Sequence, residues 1–155
     1  MKTNFSINSA VISGLAATAA MTAFTFMAPL MGIEMNIPAM LAGTMGAPLI
    51  IGWIAHFTIG VVLAISFAGF YVPNFSPSNK IKSGAIFSLI PWLLAQIVVM
   101  PMMAIMNGAG FGAGFFSGSI LLSMASLMGH LLFGVVLGLT YKTDNITELK
   151  TQKIF

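Results

Sequence analysis

The chain has 155 residues, 58% of them hydrophobic and 6% charged, with a mean hydropathy of +1.01, which excludes an ordinary soluble globular domain and reads as an integral membrane protein. It contains no cysteine, so disulfides, thiolate metal sites and thiol catalysis are excluded together. There is no arginine, and the six lysines and three acids (Glu34, Asp144 and Glu148) all lie outside the long apolar runs, a balance that signals topology and argues against nucleic acid as a partner.

A helix needs about twenty apolar residues to cross the hydrocarbon, and four runs meet that length. The first is predicted over Ser9–Met31. Lys2 precedes it and Ala17-Thr18-Ala19 imitates a signal cleavage site, but the apolar run continues past Ala19, so a retained span is expected. Thr18, Thr22 and Thr25 form an i, i+4, i+7 stripe on it. Such hydroxyls usually bond their own helix backbone, and Thr18 and Thr22 are also candidates to orient a ligand-bearing side chain. The loop Asn36–Gly43 starts with a proline and ends with a glycine, which predicts a short helix, either a packed connector or a lid.

The second span is predicted over Pro48–Val72, and the third over Ser83–Met106 after the breaker cluster Pro73–Asn79. The third carries Ser88 and Gln96. The Gln96 amide needs partners where there is no water, so it either orients a histidine or holds its helix to the bundle. The glycine-rich loop 107–114 lacks the flanking strand and helix of a phosphate loop. The fourth span is predicted over Phe115–Tyr141, with Tyr71 and Tyr141 as interfacial anchors at the inner ends and Trp53 at an outer end. In the tail, Asn145 and Glu148 resemble a capping box opening a small amphipathic helix. All six lysines fall on one side of this four-span topology, so both termini and the middle loop are expected in the cytoplasm.

The two histidines occupy matching strings, His56-Phe-Thr-Ile-Gly-Val-Val-Leu and His130-Leu-Leu-Phe-Gly-Val-Val-Leu. Ser13-Gly14 opens the first half as Ser83-Gly84 opens the second, and Pro29 and Pro101 fall late in the first helix of each. This predicts an all-α integral membrane four-helix bundle built from two parallel helical-hairpin repeats. It forms a single domain over 1–155, with repeats at about 9–72 and 83–141 and a cytoplasmic tail at 142–155.

Ionisable side chains inside a bilayer are costly and usually functional, so His56 and His130 are the leading site candidates. Gly52 and Gly60 flank the first, and Ser126 and Gly134 the second, each one turn away. Such small residues either let helices meet or leave room for a flat ligand. One reading is bis-histidine ligation of haem b by an electron-transfer protein, with those four small residues forming the pocket. Against it stands the lack of arginine or outward lysine to meet the propionates. In a second reading each histidine merely bonds a neighbouring hydroxyl or carbonyl in a cofactor-free accessory subunit of a larger respiratory or other membrane complex. A third is copper or other metal handling, since methionine thioethers are soft ligands for Cu(I) and methionines cluster at 27–45 and 100–106. A homo-oligomer is compatible with all three. No carboxylate lies in the spans to build hydrolytic or acid-base chemistry, so enzymatic activity is not expected.

Three strings, Gly14-Leu-Ala-Ala-Thr-Ala-Ala-Met-Thr22, Trp53-Ile-Ala-His56-Phe57 with Gly60, and Gly129-His130-Leu-Leu-Phe-Gly134, resemble an uncharacterised family of small bacterial four-span membrane proteins defined as a domain of unknown function. The resemblance covers nearly the whole chain. It implies a four-helix membrane fold in a bacterial inner membrane with the lipid bilayer as its medium, and it carries no activity.

Overall fold

The structure is a computed structural model describing residues 5–75 and 79–143. The proposed capping box at Asn145 and Glu148 lies outside the described residues. α1 (Ile7–Met27) continues through a 3-10 turn, Ala28–Met31, that contains Pro29 and stops at Gly32 in the left-handed region. α2 (Ile37–Met45) is the short loop helix. α3 (Leu49–Phe75), α4 (Lys80–Met106) and α5 (Ile120–Thr140) follow, and α1, α3, α4 and α5 are each long and apolar enough to cross a membrane. The chain is thus all-α over the described residues, as a multi-pass membrane protein.

The helices are inverted relative to a water-soluble bundle. α1 buries Ser13, Gly14, Ala17, Thr18, Thr22 and Thr25 and exposes Ile12, Leu15 and Phe26. In lipid the apolar side chains gain nothing by turning inward, so small residues take the interfaces, where backbones approach closely.

α1 packs on α3 and on α5, and α5 packs on α4. The helices therefore run α3, α1, α5, α4 around the bundle, leaving α3 and α4 facing one another across a groove. At the lysine-bearing end the groove is closed by aromatic rings: Phe67 lies 5.2 Å and Tyr71 5.5 Å from Phe87, with Tyr141 6.0 Å from Phe67. Tyr71 and Tyr141 are buried there, not spread along the lipid interface as expected, because α3 and α4 converge at this end.

Each hairpin is locked at the same offsets. A Cβ at Gly60 would overlap Thr18 Oγ1, and one at Gly14 would press on the Cβ of Ala64; a Cβ at Gly134 would overlap the Gly84 carbonyl and press on Ser88, and one at Gly84 would press on the Gly138 nitrogen. Gly60 and Gly134 each follow a histidine by four residues, and Thr18 and Ser88 each follow Gly14 and Gly84 by four.

Two departures from the predicted spans have backbone causes. α3 and α4 each contain a π-helical turn, Phe67–Tyr71 and Ala95–Val99, two residues before Pro73 and Pro101. Proline cannot donate to the carbonyl four residues back and clashes with it, and a widened turn relieves both. The fourth span starts at Ile120 rather than Phe115, because Phe116, Ser117 and Gly118 sit in the left-handed region. A non-glycine residue there costs roughly 1–2 kcal/mol, so the connector must be held from outside.

Candidate metal centre

His56 is buried, 6% exposed, and its Nε2 lies 2.9 Å from Thr22 Oγ1 on α1. Thr22 Oγ1 also lies 2.7 Å from the Thr18 carbonyl of its own helix. The hydroxyl thus ties the ring to α1 through Nε2, and Nδ1 is the His56 nitrogen outside this bond. His130 Nδ1 lies 2.8 Å from the Ser126 carbonyl one turn back on α5. A carbonyl only accepts, so this ring is protonated on Nδ1 and its lone pair is on Nε2. The other ring nitrogen of each histidine takes no part in these bonds, and both rings border open space.

That space is shared. His56 and His130 line one cavity of about 130 Å3 in the α3–α4 groove, floored by Thr18, Met21, Ser126 and Phe133 and roofed by Ile37, Met40 and Leu41 of α2. Met100 and Met103 of α4 complete the wall, so four thioether side chains from α1, α4 and the α2 roof surround two imidazoles. No lining residue is charged. The short helix predicted over Asn36–Gly43 is therefore the lid over this cavity. Its Asn36 side chain accepts from Ala39 N at 3.0 Å, and it runs on past Gly43 to stop at Gly46, which takes the left-handed conformation.

The remaining site candidates divide. Gly60 and Ser126 line the cavity, Thr18 forms its floor, and Thr22 orients His56 directly. Gly52 sits under the Pro38 carbonyl, where a Cβ would overlap it, and Gly134 sits against Gly84. These two glycines are helix contacts, seating the lid and the second hairpin, and neither lines the histidine cavity.

Gln96, 1% exposed, holds α4 to α5. Its Nε2 donates to Ser126 Oγ at 3.2 Å and its Oε1 accepts from Ser117 Oγ at 2.9 Å, with Ser123 Oγ 3.1 Å away. Ser123 Oγ also bonds the Phe116 carbonyl, so the strained connector is pinned to the same polar knot. Trp92 stands at the offset in the second hairpin that Thr22 occupies in the first, and its Nε1 donates to the Ser123 carbonyl at 3.2 Å. With no hydroxyl at that offset, His130 is held by its own helix. Met21 and Trp92 are the contributors that sequence reasoning missed. The alignment of Thr22 with Trp92 in the two halves was the available signal for Trp92, and Met21 gave none.

No curated protein and no solved structure matches the chain. The family model described as a family of unknown function, DUF6789, matches residues 5–150, nearly the whole chain including both histidine helices, and the protein belongs to that family.

Proposed function

We propose that this protein is a copper(I)-handling protein of the bacterial cytoplasmic membrane, with both termini in the cytoplasm, which holds the ion between His56 Nδ1 and His130 Nε2 with thioether help from Met40, Met100 and Met103. The observation that carries the reading is the shared cavity: two imidazoles, each with one ring nitrogen held by a hydrogen bond, and several thioethers around a space of about 130 Å3. Metal-binding histidines characteristically have the other ring nitrogen held by a hydrogen bond, as both do here. Thioether and imidazole together select a soft ion such as Cu(I). Charge points the same way, because the cost of bringing an ion into low dielectric grows with the square of its charge. With no carboxylate in the lining, a monovalent ion is far less costly than a divalent one.

Haem b would use the same two imidazoles. No lysine or arginine lines the histidine cavity to meet propionates. A bare ion suits the lining better. In this reading the two hairpins are repeats about an axis along the membrane normal, each supplying one imidazole. An accessory subunit without a ligand would need the histidines only as packing groups.

The test is an anaerobic competition titration of detergent-purified protein with a coloured Cu(I) chelate. A single equivalent should be withdrawn from the chelate, and withdrawal should be lost in His56→Ala and in His130→Ala. No withdrawal by the unaltered protein would overturn the reading, and a Soret band from protein made with haem supplied would replace it with the haem one.

A further inference from the structure

Beside the histidine cavity lies a second one of about 290 Å3, lined by Glu34, Met35, Asn36, Gln96, Ser117 and Leu122 among others. The two share Ile37, Met40, Ala95, Met100 and Ser126. They are thus adjoining compartments of one groove, graded in chemistry. The outer one holds a carboxylate, two amides and two hydroxyls beside the thioethers of Met35, Met40 and Met100; the inner one adds both imidazoles and holds no charged side chain. Glu34 is exposed and is the only charged residue lining either compartment. It stands on the bundle end opposite Lys80, Lys82 and Lys142.

We infer that the larger cavity is a cation vestibule, through which a soft monovalent cation reaches the histidines from the lysine-free face, with Glu34 as the collecting carboxylate and Met40 and Met100 as the hand-over ligands. This rests on the metal reading of the histidine site for its cargo, and on the geometry of the groove for its route. An exposed carboxylate raises the local concentration of cations without holding them in low dielectric. The buried amide of Gln96 and the half-buried hydroxyls of Ser117 and Ser126 then offer oxygen contacts where hydration is being lost. Met35 lines the outer compartment alone, while Met40 and Met100 border both, so their thioethers are the soft ligands that can pass an ion from the polar half to the histidines.

The absence of cysteine makes the route directly testable in proteoliposomes, since any introduced thiol is the only one. Met100→Cys and Met40→Cys, on separate helices, should react with a cationic water-soluble thiosulfonate added to the lysine-free face. Ile105→Cys, exposed on the lipid side of α4, should not. The cationic reagent should outpace a neutral one by about two- to tenfold, and Glu34→Gln should erase that preference. The vestibule is overturned if both thiols react no faster than Ile105→Cys, if they react equally from either face, or if Glu34→Gln leaves the preference intact. Labelling does not need copper, so a chain that labels as described yet withdraws no Cu(I) loses its cargo and keeps its route. One that withdraws Cu(I) while both thiols stay silent loses the route alone.

Discussion

His56 is held in place by Thr22. The hydroxyl lies 2.9 Å from Nε2, which leaves Nδ1 as the ring nitrogen outside that bond. Thr22→Val keeps the volume and removes the bond. Loss of such an outer hydrogen bond typically weakens metal binding by about 10- to 100-fold, whereas an interhelical hydrogen bond in a membrane contributes only about 0.6 kcal/mol to stability on average. Cu(I) affinity should therefore fall strongly while the unfolding midpoint in detergent barely moves, and Thr22→Ser should restore binding. A parallel fall in both would mean that the histidine is merely a packing group. Met100→Leu separates ligand from filler in the same way: a volume-conserving apolar exchange costs less than about 1.5 kcal/mol, so a clear loss of Cu(I) affinity with near-normal stability is expected. Little at this scale was legible beforehand. The Thr18, Thr22, Thr25 stripe is plain in the sequence, but which of its hydroxyls faces a histidine depends on how α1 and α3 are rotated, and that is set by Gly60 closing on Thr18.

At the scale of the elements, the hairpins are closed by glycines that act at different depths. Gly134→Ala would drive a Cβ into the Gly84 backbone, which no side-chain rotation relieves, while Gly43 has nothing within 4 Å of its would-be Cβ. Gly134→Ala should destabilise by more than about 2 kcal/mol, in the range of severe overpacking, and Gly43→Ala should be tolerated, as thermal unfolding in detergent would show. Gln96 is the second element-scale lock, since one amide ties α4 to α5 and pins the connector at Phe111–Gly118. Gln96→Leu strands buried hydroxyls at about 1–3 kcal/mol for an unsatisfied group, and amide exchange should accelerate in residues 111–118 before it does in α1. The four spans and the lid helix were legible because apolar run length, Asn36, Pro38 and a closing glycine act locally. The late start of α5 was not, because Phe115-Phe116-Ser117 reads as an apolar helix start, and tertiary bonds to Gln96 and Ser123 help hold it in the left-handed region.

For the whole molecule, the order α3, α1, α5, α4 makes the protein a curved sheet of helices whose concave side is the groove. That order brings Met21, Met40, Met100 and Met103 together from three elements, which no spacing along the chain could show. The two histidine strings sit at equal offsets in the two hairpins, and both rings line one cavity. The asymmetry of Thr22 and Trp92 sets how each ring is held, one by a neighbouring helix and the other by its own. If the groove is the functional surface, its closure at the lysine-bearing end by Phe67, Tyr71, Phe87 and Tyr141 leaves the lysine-free end as the open one.

The most direct test of the central claim is the anaerobic Cu(I) competition titration on the unaltered protein and on His56→Ala and His130→Ala side by side. The expected result is withdrawal of one equivalent by the unaltered protein and of none by either variant, with all three equally folded by circular dichroism. Withdrawal that survives the loss of either imidazole, or no withdrawal at all, would contradict a copper site built on the histidine pair.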